Sequence, residues 1–286
     1  MVAIASKSTD TMKALVQEGS GSADVLHLRE VTRPAVSDDR VLVKVLAASV
    51  NAADYHTVHG AAIVRVIGKL LRQARPNPIR GADLAGVVEA IGKDVTSLRP
   101  GDDVFGIGTG TWAEYATGTE RSLLQKPARL SFIEAGAIGV AALTALQGLR
   151  DHGRVRPGQR VLIYGAGGGV GTFAVQIAKA LGAHVTAVTS TRNLDLVRPL
   201  GAHELIDYTK EDVGKRDERY DVILDVAATR SLRDLRRMLV PGGALVCAGG
   251  REARWLARHP RASPSHHVPF SHPAPARCLL HRLDPP

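Results

Sequence analysis

Two rhythms of apolar and polar positions divide the chain. From Met12 to about Leu46, apolar residues alternate with polar ones and turn residues interrupt them. That period of two predicts half-buried strands at Lys13–Gln17, Val25–Arg29 and Val41–Leu46. Ala47–Asp54 (AASVNAAD) predicts a turn running into a short helix. Gly81–Ile91 (GADLAGVVEAI) predicts a strand with glycines where backbones approach. Arg99–Phe105 (RPGDDVF) predicts a turn feeding another strand. Together these describe a mixed, largely antiparallel β domain.

The rhythm changes near Ser131. SFIEAGAIGVAALTALQGL predicts a long helix of small residues, capped by Ser131 with Glu134 three positions on. From Arg154, strand and helix alternate in the doubly wound α/β manner. Strands are predicted at Arg160–Gly165, His184–Thr189, Glu204–Asp207, Tyr220–Val226 and Ala244–Ala248. Helices lie between them, among them Thr172–Leu181 and Leu232–Leu239. After Gly250 both rhythms stop. The tail holds seven of the fifteen prolines and five of the eleven histidines, with no Gly, Ile or Lys. The expected organisation is a disordered lead-in over 1–11, a β-rich domain over 12–130, an α/β domain over 131–250 and a disordered tail over 251–286.

One stretch carries specific chemistry. Gly158–Lys179 reads GQRVLIYGAGGGVGTFAVQIAK: a buried-strand run, a glycine cluster, then a helix. Ala166, Gly168 and Gly171 fall on the three spaced positions of the dinucleotide fingerprint, with Ala in place of the first Gly. The backbone of Ala166, Gly167, Gly168, Gly169, Val170 and Gly171 is therefore expected to cradle a pyrophosphate at a helix N-terminus. The next strand carries no Asp or Glu for a ribose 2′-hydroxyl. It runs into Thr189, Ser190, Thr191, Arg192 and Asn193, and hydroxyls with a guanidinium suit a 2′-phosphate. The expected cofactor is NADP(H) rather than NAD(H).

Composition narrows the rest. The formal charge is +9, and the last 36 residues supply +4 of it through six Arg against one Glu and one Asp. The remainder is scattered with no basic stripe interleaved with aromatics, so nucleic-acid binding is not expected. Two cysteines, Cys247 and Cys278, build neither a disulfide framework nor a four-cysteine zinc lobe. The histidines His259, His266, His267, His272 and His281 match no zinc spacing. No apolar run is long enough to span a bilayer, and the N-terminus carries no signal pattern, so a cytoplasmic protein with no membrane partner is expected.

Further runs join the glycine segment: SVNAADYH at 49–56, GADLAGVVEAIGKDV at 81–95, RPGDDVFG at 99–106, AALTAL at 141–146 and LGAHELIDY at 200–208. With them the chain resembles the zinc-independent quinone oxidoreductases of the medium-chain dehydrogenase/reductase superfamily, over about residues 12–250. The resemblance implies a GroES-like mixed β N-terminal domain and a Rossmann doubly wound parallel sheet. The zinc alcohol dehydrogenases of that superfamily carry Cys where this chain has Asn51, and Gly-His-Glu where it has Gly81-Ala82-Asp83. No metal site is therefore expected, and reduction of an already activated acceptor, a quinone or an enone, is implied.

By position, the resemblance implies a role for each of several residues. Tyr208 would join Ser190, Arg192 and Asn193 at the 2′-phosphate. Thr144 would lie near the nicotinamide ribose or phosphate, and Ala248, Gly249 and Gly250 would face the nicotinamide ring. Asn51 would hydrogen-bond the acceptor carbonyl, with Tyr55 and His56 as neighbours and His56 a candidate proton donor. Two alternatives stay open: an enoyl-thioester reductase of the same superfamily, and an inactive nucleotide-binding remnant. The second arises because relatives continue past the fifth strand with a sixth strand and a return to the catalytic domain. Here that continuation is replaced by the Arg/Pro/His tail, as a shifted reading frame or a degraded gene would leave it. The expectation is a sheet lacking its last strand, an uncovered fifth-strand edge, an incomplete catalytic domain and a lost family dimer interface.

Overall fold

The computed structural model describes residues 10–60, 78–248 and 278–282. The chain forms two compact units that divide between Val140 and Ala141, some ten residues beyond the boundary read from the sequence.

In the first unit, β1 (Thr11–Gln17) and β2 (Leu26–Thr32) form an antiparallel ribbon, with Thr11 opposite Thr32 and Gln17 opposite Leu26. Four longer strands close into a barrel: β3 (Arg40–Ala47), β4 (Asp83–Ile91), β5 (Asp103–Thr109) and β6 (Tyr115–Gln125). Alternate side chains point inward, and Val41, Val43, Leu84, Val88, Val104, Ala116 and Leu123 fill the interior. The sequence reading missed β6. Its YATGTERSLLQ breaks the apolar alternation with Gly, Glu, Arg and Ser, and pairing with both β3 and β5 makes it a strand regardless. Helix α1 (Ala52–Val58) follows β3.

The long helix expected from Ser131 is broken. Ser131 and Glu134 do form the reciprocal cap, but α2 (Phe132–Ala135) stops at Gly136. A Cβ on Gly136 would meet Ala47 at 3.0 Å, so glycine lets this segment approach β3; α3 (Gly139–Leu146) and a π-helical turn over Gln147–His152 follow.

The second unit is a twisted sheet. Its parallel strands are β7 (Arg160–Tyr164), β8 (His184–Thr189), β9 (Glu204–Asp207), β10 (Tyr220–Asp225) and β11 (Leu239–Ala248). Helices α4 (Gly169–Ala180), α5 (Leu194–Val197) and α6 (Leu232–Arg237) connect them. One face buries Val161, Ile163, Val185 and Val246 with α4's Ala174, Val175 and Ala178. The other buries Leu162, Ile223 and Leu245 with Leu232, Leu235 and Met238. Strands covered on both faces need continuous apolar runs, which is why β7, β10 and β11 were readable from sequence.

The expectation of an uncovered edge is corrected. Cys278–Arg282 forms β12 and pairs antiparallel with β11, Ala244 opposite Arg282 and Ala248 opposite Cys278. The sheet order is β12-β11-β10-β7-β8-β9. The tail's composition hid a segment free of proline between Pro275 and Pro285, where every residue keeps its ladder N–H. The lead-in up to residue 9 and the rest of the tail lie outside the described residues, as do the side chains of 278–282. Among the described residues, no helix is long and apolar enough to cross a membrane.

Candidate active site

The glycine turn of the second unit is built by strand, turn and helix in succession. The chain leaves β7 at Gly165, whose φ of +94° a side chain disfavours. The N–H groups of Gly165 and Ala166 both donate to the Val188 carbonyl, at 3.1 and 2.9 Å, which ties the turn to the end of β8. Gly168 is the extended N-cap of α4. A Cβ on Gly171 would overlap the Gly165 carbonyl and the Ala166 backbone, so helix–strand contact requires glycine there. At Gly168 a Cβ would meet only the Gly165 oxygen at 3.5 Å, and at Gly169 only Ala141 at 3.9 Å. These positions face open space above a helix N-terminus, a cradle that fits a pyrophosphate. Val170 follows in the first turn of α4.

The residues expected at a 2′-phosphate gather at the same end of the sheet. Asn193 and the Thr189 hydroxyl stand over Gly167, where a Cβ would come within 2.5 Å of Asn193 Nδ2 and 2.6 Å of Thr189 Oγ1. Ser190 is half-buried and Arg192 exposed. The Tyr208 N–H donates to the Thr189 carbonyl at 3.0 Å, which sets its exposed ring beside the end of β8. Thr144 is buried on α3, and Ala248 is buried at the end of β11. Gly249 and Gly250 lie outside the described residues.

Two acids at strand ends were missed by the sequence reading. The end of β8 has no acid of its own, but the register places Asp207 of β9 opposite Thr189. Asp207 accepts the Thr191 hydroxyl at 2.5 Å and the Thr209 hydroxyl and N–H at 2.7 and 3.0 Å. The Thr191 hydroxyl, helped by Thr209 and Lys210, holds its carboxyl below the usual range. Its lone pairs serve the chain's own turn. At the end of β10, Asp225 is buried and accepts the N–H groups of Ala227 and Ala228 at 3.0 and 2.9 Å. Burial pushes its carboxyl up. That turn holds Ala228 at φ +48°, a left-handed conformation rare for Ala. It also lies against Gly165, where a Cβ would meet Val226 at 2.9 Å. The ends of β7 and β10 thus adjoin where the strand order reverses, the place where open α/β sheets hold ligands.

In the first unit, Asn51 begins α1. Its N–H donates to Asp54 Oδ2 at 2.8 Å, and its Nδ2 donates to Asp83 Oδ2 at 2.9 Å and Ser49 Oγ at 3.2 Å. A carboxylate can only accept, so it fixes which end of the amide faces it. Both Nδ2 hydrogens are therefore engaged, which leaves none to donate to an acceptor carbonyl. Asp54 is buried, and burial pushes its carboxyl up. Tyr55 is 55% exposed on α1, with its ring centroid 3.9 Å from His59 and 5.6 Å from His56. His56 is half-buried. The Cys and His positions of a zinc site carry Asn51 and Ala82, whose side chains do not bind zinc. Among the described residues, no three His, Cys, Asp or Glu are grouped to hold a metal.

Comparison with known proteins agrees with this arrangement. Residues 37–128 match the alcohol dehydrogenase GroES-like domain, and residues 169–259 match the domain described as zinc-binding dehydrogenase. The chain is 35% identical over 243 residues to a quinone oxidoreductase of Sus scrofa, covering 81% of this chain and 71% of that protein. It is 34% identical over 263 residues to an NADPH-dependent alkenal/one oxidoreductase of Arabidopsis thaliana, covering 84% and 65%. The first curated relatives it matches are longer, and the chain spans 56% and 65% of two of them. Among solved structures, the quinone oxidoreductase from Coxiella burnetii superposes with a TM-score of 0.73 at 33% identity, covering 82% of this chain and 74% of that one. With both domains matched and the zinc ligands replaced, the chain belongs to the zinc-independent quinone oxidoreductase group of the medium-chain dehydrogenase/reductase superfamily, a group of NAD(P)-dependent oxidoreductases.

Proposed function

We propose that the chain is an NADPH-dependent reductase of quinones or α,β-unsaturated carbonyls. The observation that carries this reading is the open cradle at Gly168 and Gly169, with Asn193 and Thr189 packed over Gly167 and the Asp207 carboxylate engaged by the Thr191 and Thr209 hydroxyls. When bound, the reduced nicotinamide supplies the hydride. The chain's own part is placement and charge. Backbone N–H groups of the glycine turn orient the pyrophosphate, and Ser190, Arg192 and Asn193 receive the 2′-phosphate through charge-assisted hydrogen bonds. A relative whose name specifies NADPH supports that preference.

On the acceptor side, Asn51 and Ala82 provide no Lewis acid, so the substrate must be activated by its own conjugation. Tyr55 and His56 supply polar groups on α1, and His56 can hold the proton that completes reduction. Asn51, with its amide hydrogens engaged, shapes the wall.

A titration followed by an acceptor series tests the reading. NADPH is expected to bind saturably and more tightly than NADH. Bound NADPH is expected to be consumed with a simple quinone and with an enone, and not with a saturated aldehyde. Turnover confined to an enoyl thioester would favour the thioester reductase. Binding without turnover of any acceptor would leave the chain a nucleotide-binding remnant.

A further inference from the structure

Asp83, at the start of β4, is an acid in the first unit that accepts three hydrogen bonds. It is fully buried, yet it is not left as an isolated charge. Its Oδ2 accepts from Ser49 Oγ at 2.5 Å and Asn51 Nδ2 at 2.9 Å, both in the turn that begins α1. Its Oδ1 accepts from the Val140 N–H at 2.6 Å, in the first turn of α3. The two oxygens thus face two segments about ninety residues apart in sequence.

The surroundings are fitted to this carboxylate. A Cβ on Gly139 would come within 2.5 Å of Asp83 Oδ1 and 2.9 Å of the Gly106 carbonyl, so the helix approaches only because that residue is glycine. The Ser49 carbonyl accepts from Trp112 Nε1 at 2.9 Å, which fixes the turn from its other side. A carboxylate is the group this site needs. Three donors converge on it, and a neutral amide would turn its own donors against at least one of them. Its negative charge also suits the N-terminal turn of α3.

We propose that Asp83 is a positioning residue: it fastens the Ser49–Asn51 turn, and with it the wall that carries Tyr55 and His56, to the first turn of α3. Its consequence for turnover rests on the reductase reading given above. The fastening itself does not.

The test is hydrogen exchange on the full-length chain, with NADPH titration and steady-state kinetics on the same samples. In Asp83→Asn, segments 47–58 and 138–140 are expected to exchange together about tenfold faster, as loss of one charged hydrogen bond implies. The β5 segment and the glycine turn are expected to keep their protection, and the NADPH Kd to stay within about twofold. Catalytic efficiency toward the acceptor should fall at least about tenfold, a split that general destabilisation would not produce. Ser49→Ala removes one donor without burying a lone charge, and it carries the test if Asp83→Asn does not fold. It should accelerate both segments by a smaller factor. Acceleration of only one segment, or an even rise across the barrel, would overturn the proposal. If the wild-type chain reduces no acceptor, the reductase reading falls, and the paired exchange result still decides the role of Asp83.

Discussion

The glycine turn of the second unit and the acid-centred wall of the first solve the same problem by opposite means. Each must hold a loop still. The turn does so with backbone alone: a left-handed Gly165, two N–H groups on one carbonyl, and a helix that approaches because Gly171 has no side chain. The wall does so with side chains, through one buried carboxylate and the three donors that face it. Backbone solutions depend on glycine at fixed spacing, so they survive as a pattern in the chain. Side-chain solutions depend on which residues meet in three dimensions, and leave no local pattern.

The largest effect expected on that contrast comes from Gly171→Ala. Its methyl would overlap the Gly165 carbonyl, so the variant should lose about 2–4 kcal/mol of stability in denaturant unfolding. Gly168→Ala makes the counterpart. Its methyl faces open space, so stability should change by less than about 0.5 kcal/mol while NADPH affinity falls about tenfold. Equal stability loss in the two variants would break the distinction between a glycine the fold needs and one the ligand needs.

Next in size is Asp225→Ala. It leaves the part-buried N–H groups of Ala227 and Ala228 without their acceptor, at a cost of about 1–3 kcal/mol. Calorimetry checks this, and an unchanged Tm would remove Asp225 as the prop of that turn. Ala228→Gly acts in the other direction. It relieves a left-handed Ala and should raise stability by about 1 kcal/mol.

The smallest effect is a pH dependence. The Thr191 hydroxyl holds Asp207 below the usual carboxylate range, so its ionised form stabilises the fold at pH values above the unfolded value of about 3.9. That contribution is lost as pH falls through the lower, folded value. The Tm gap between wild type and Asp207→Asn should therefore be constant near neutrality and close below about pH 4. A gap that widens in acid would reverse the sign assigned to Asp207.

The same contrast explains what was readable in advance. Strands β7, β10 and β11 declared themselves because both faces are buried and their apolar runs VLIY, VIL and ALVCA are unbroken. The fingerprint positions Ala166, Gly168 and Gly171 fell where the turn is found. Strand β6 did not show, because its polar residues take their strand conformation from neighbours on both sides. Asp207 went unnoticed because an acid on the next strand reaches the end of β8 only through sheet register. Asp83 could be seen in the sequence as an acid in an apolar strand run, but not its three partners, which arrive from two other elements. The sixth strand was hidden because five residues are too few for periodicity to stand out from a proline-rich tail.

The central claim is that this chain holds reduced NADP and delivers hydride to a conjugated acceptor without zinc. The direct measurement is the loss of nicotinamide absorbance when the purified chain is mixed with NADPH and a simple quinone, in the presence of a metal chelator and with NADH run in parallel. The account predicts steady consumption that survives the chelator and is faster with NADPH than with NADH. Consumption abolished by the chelator and restored by zinc would contradict it.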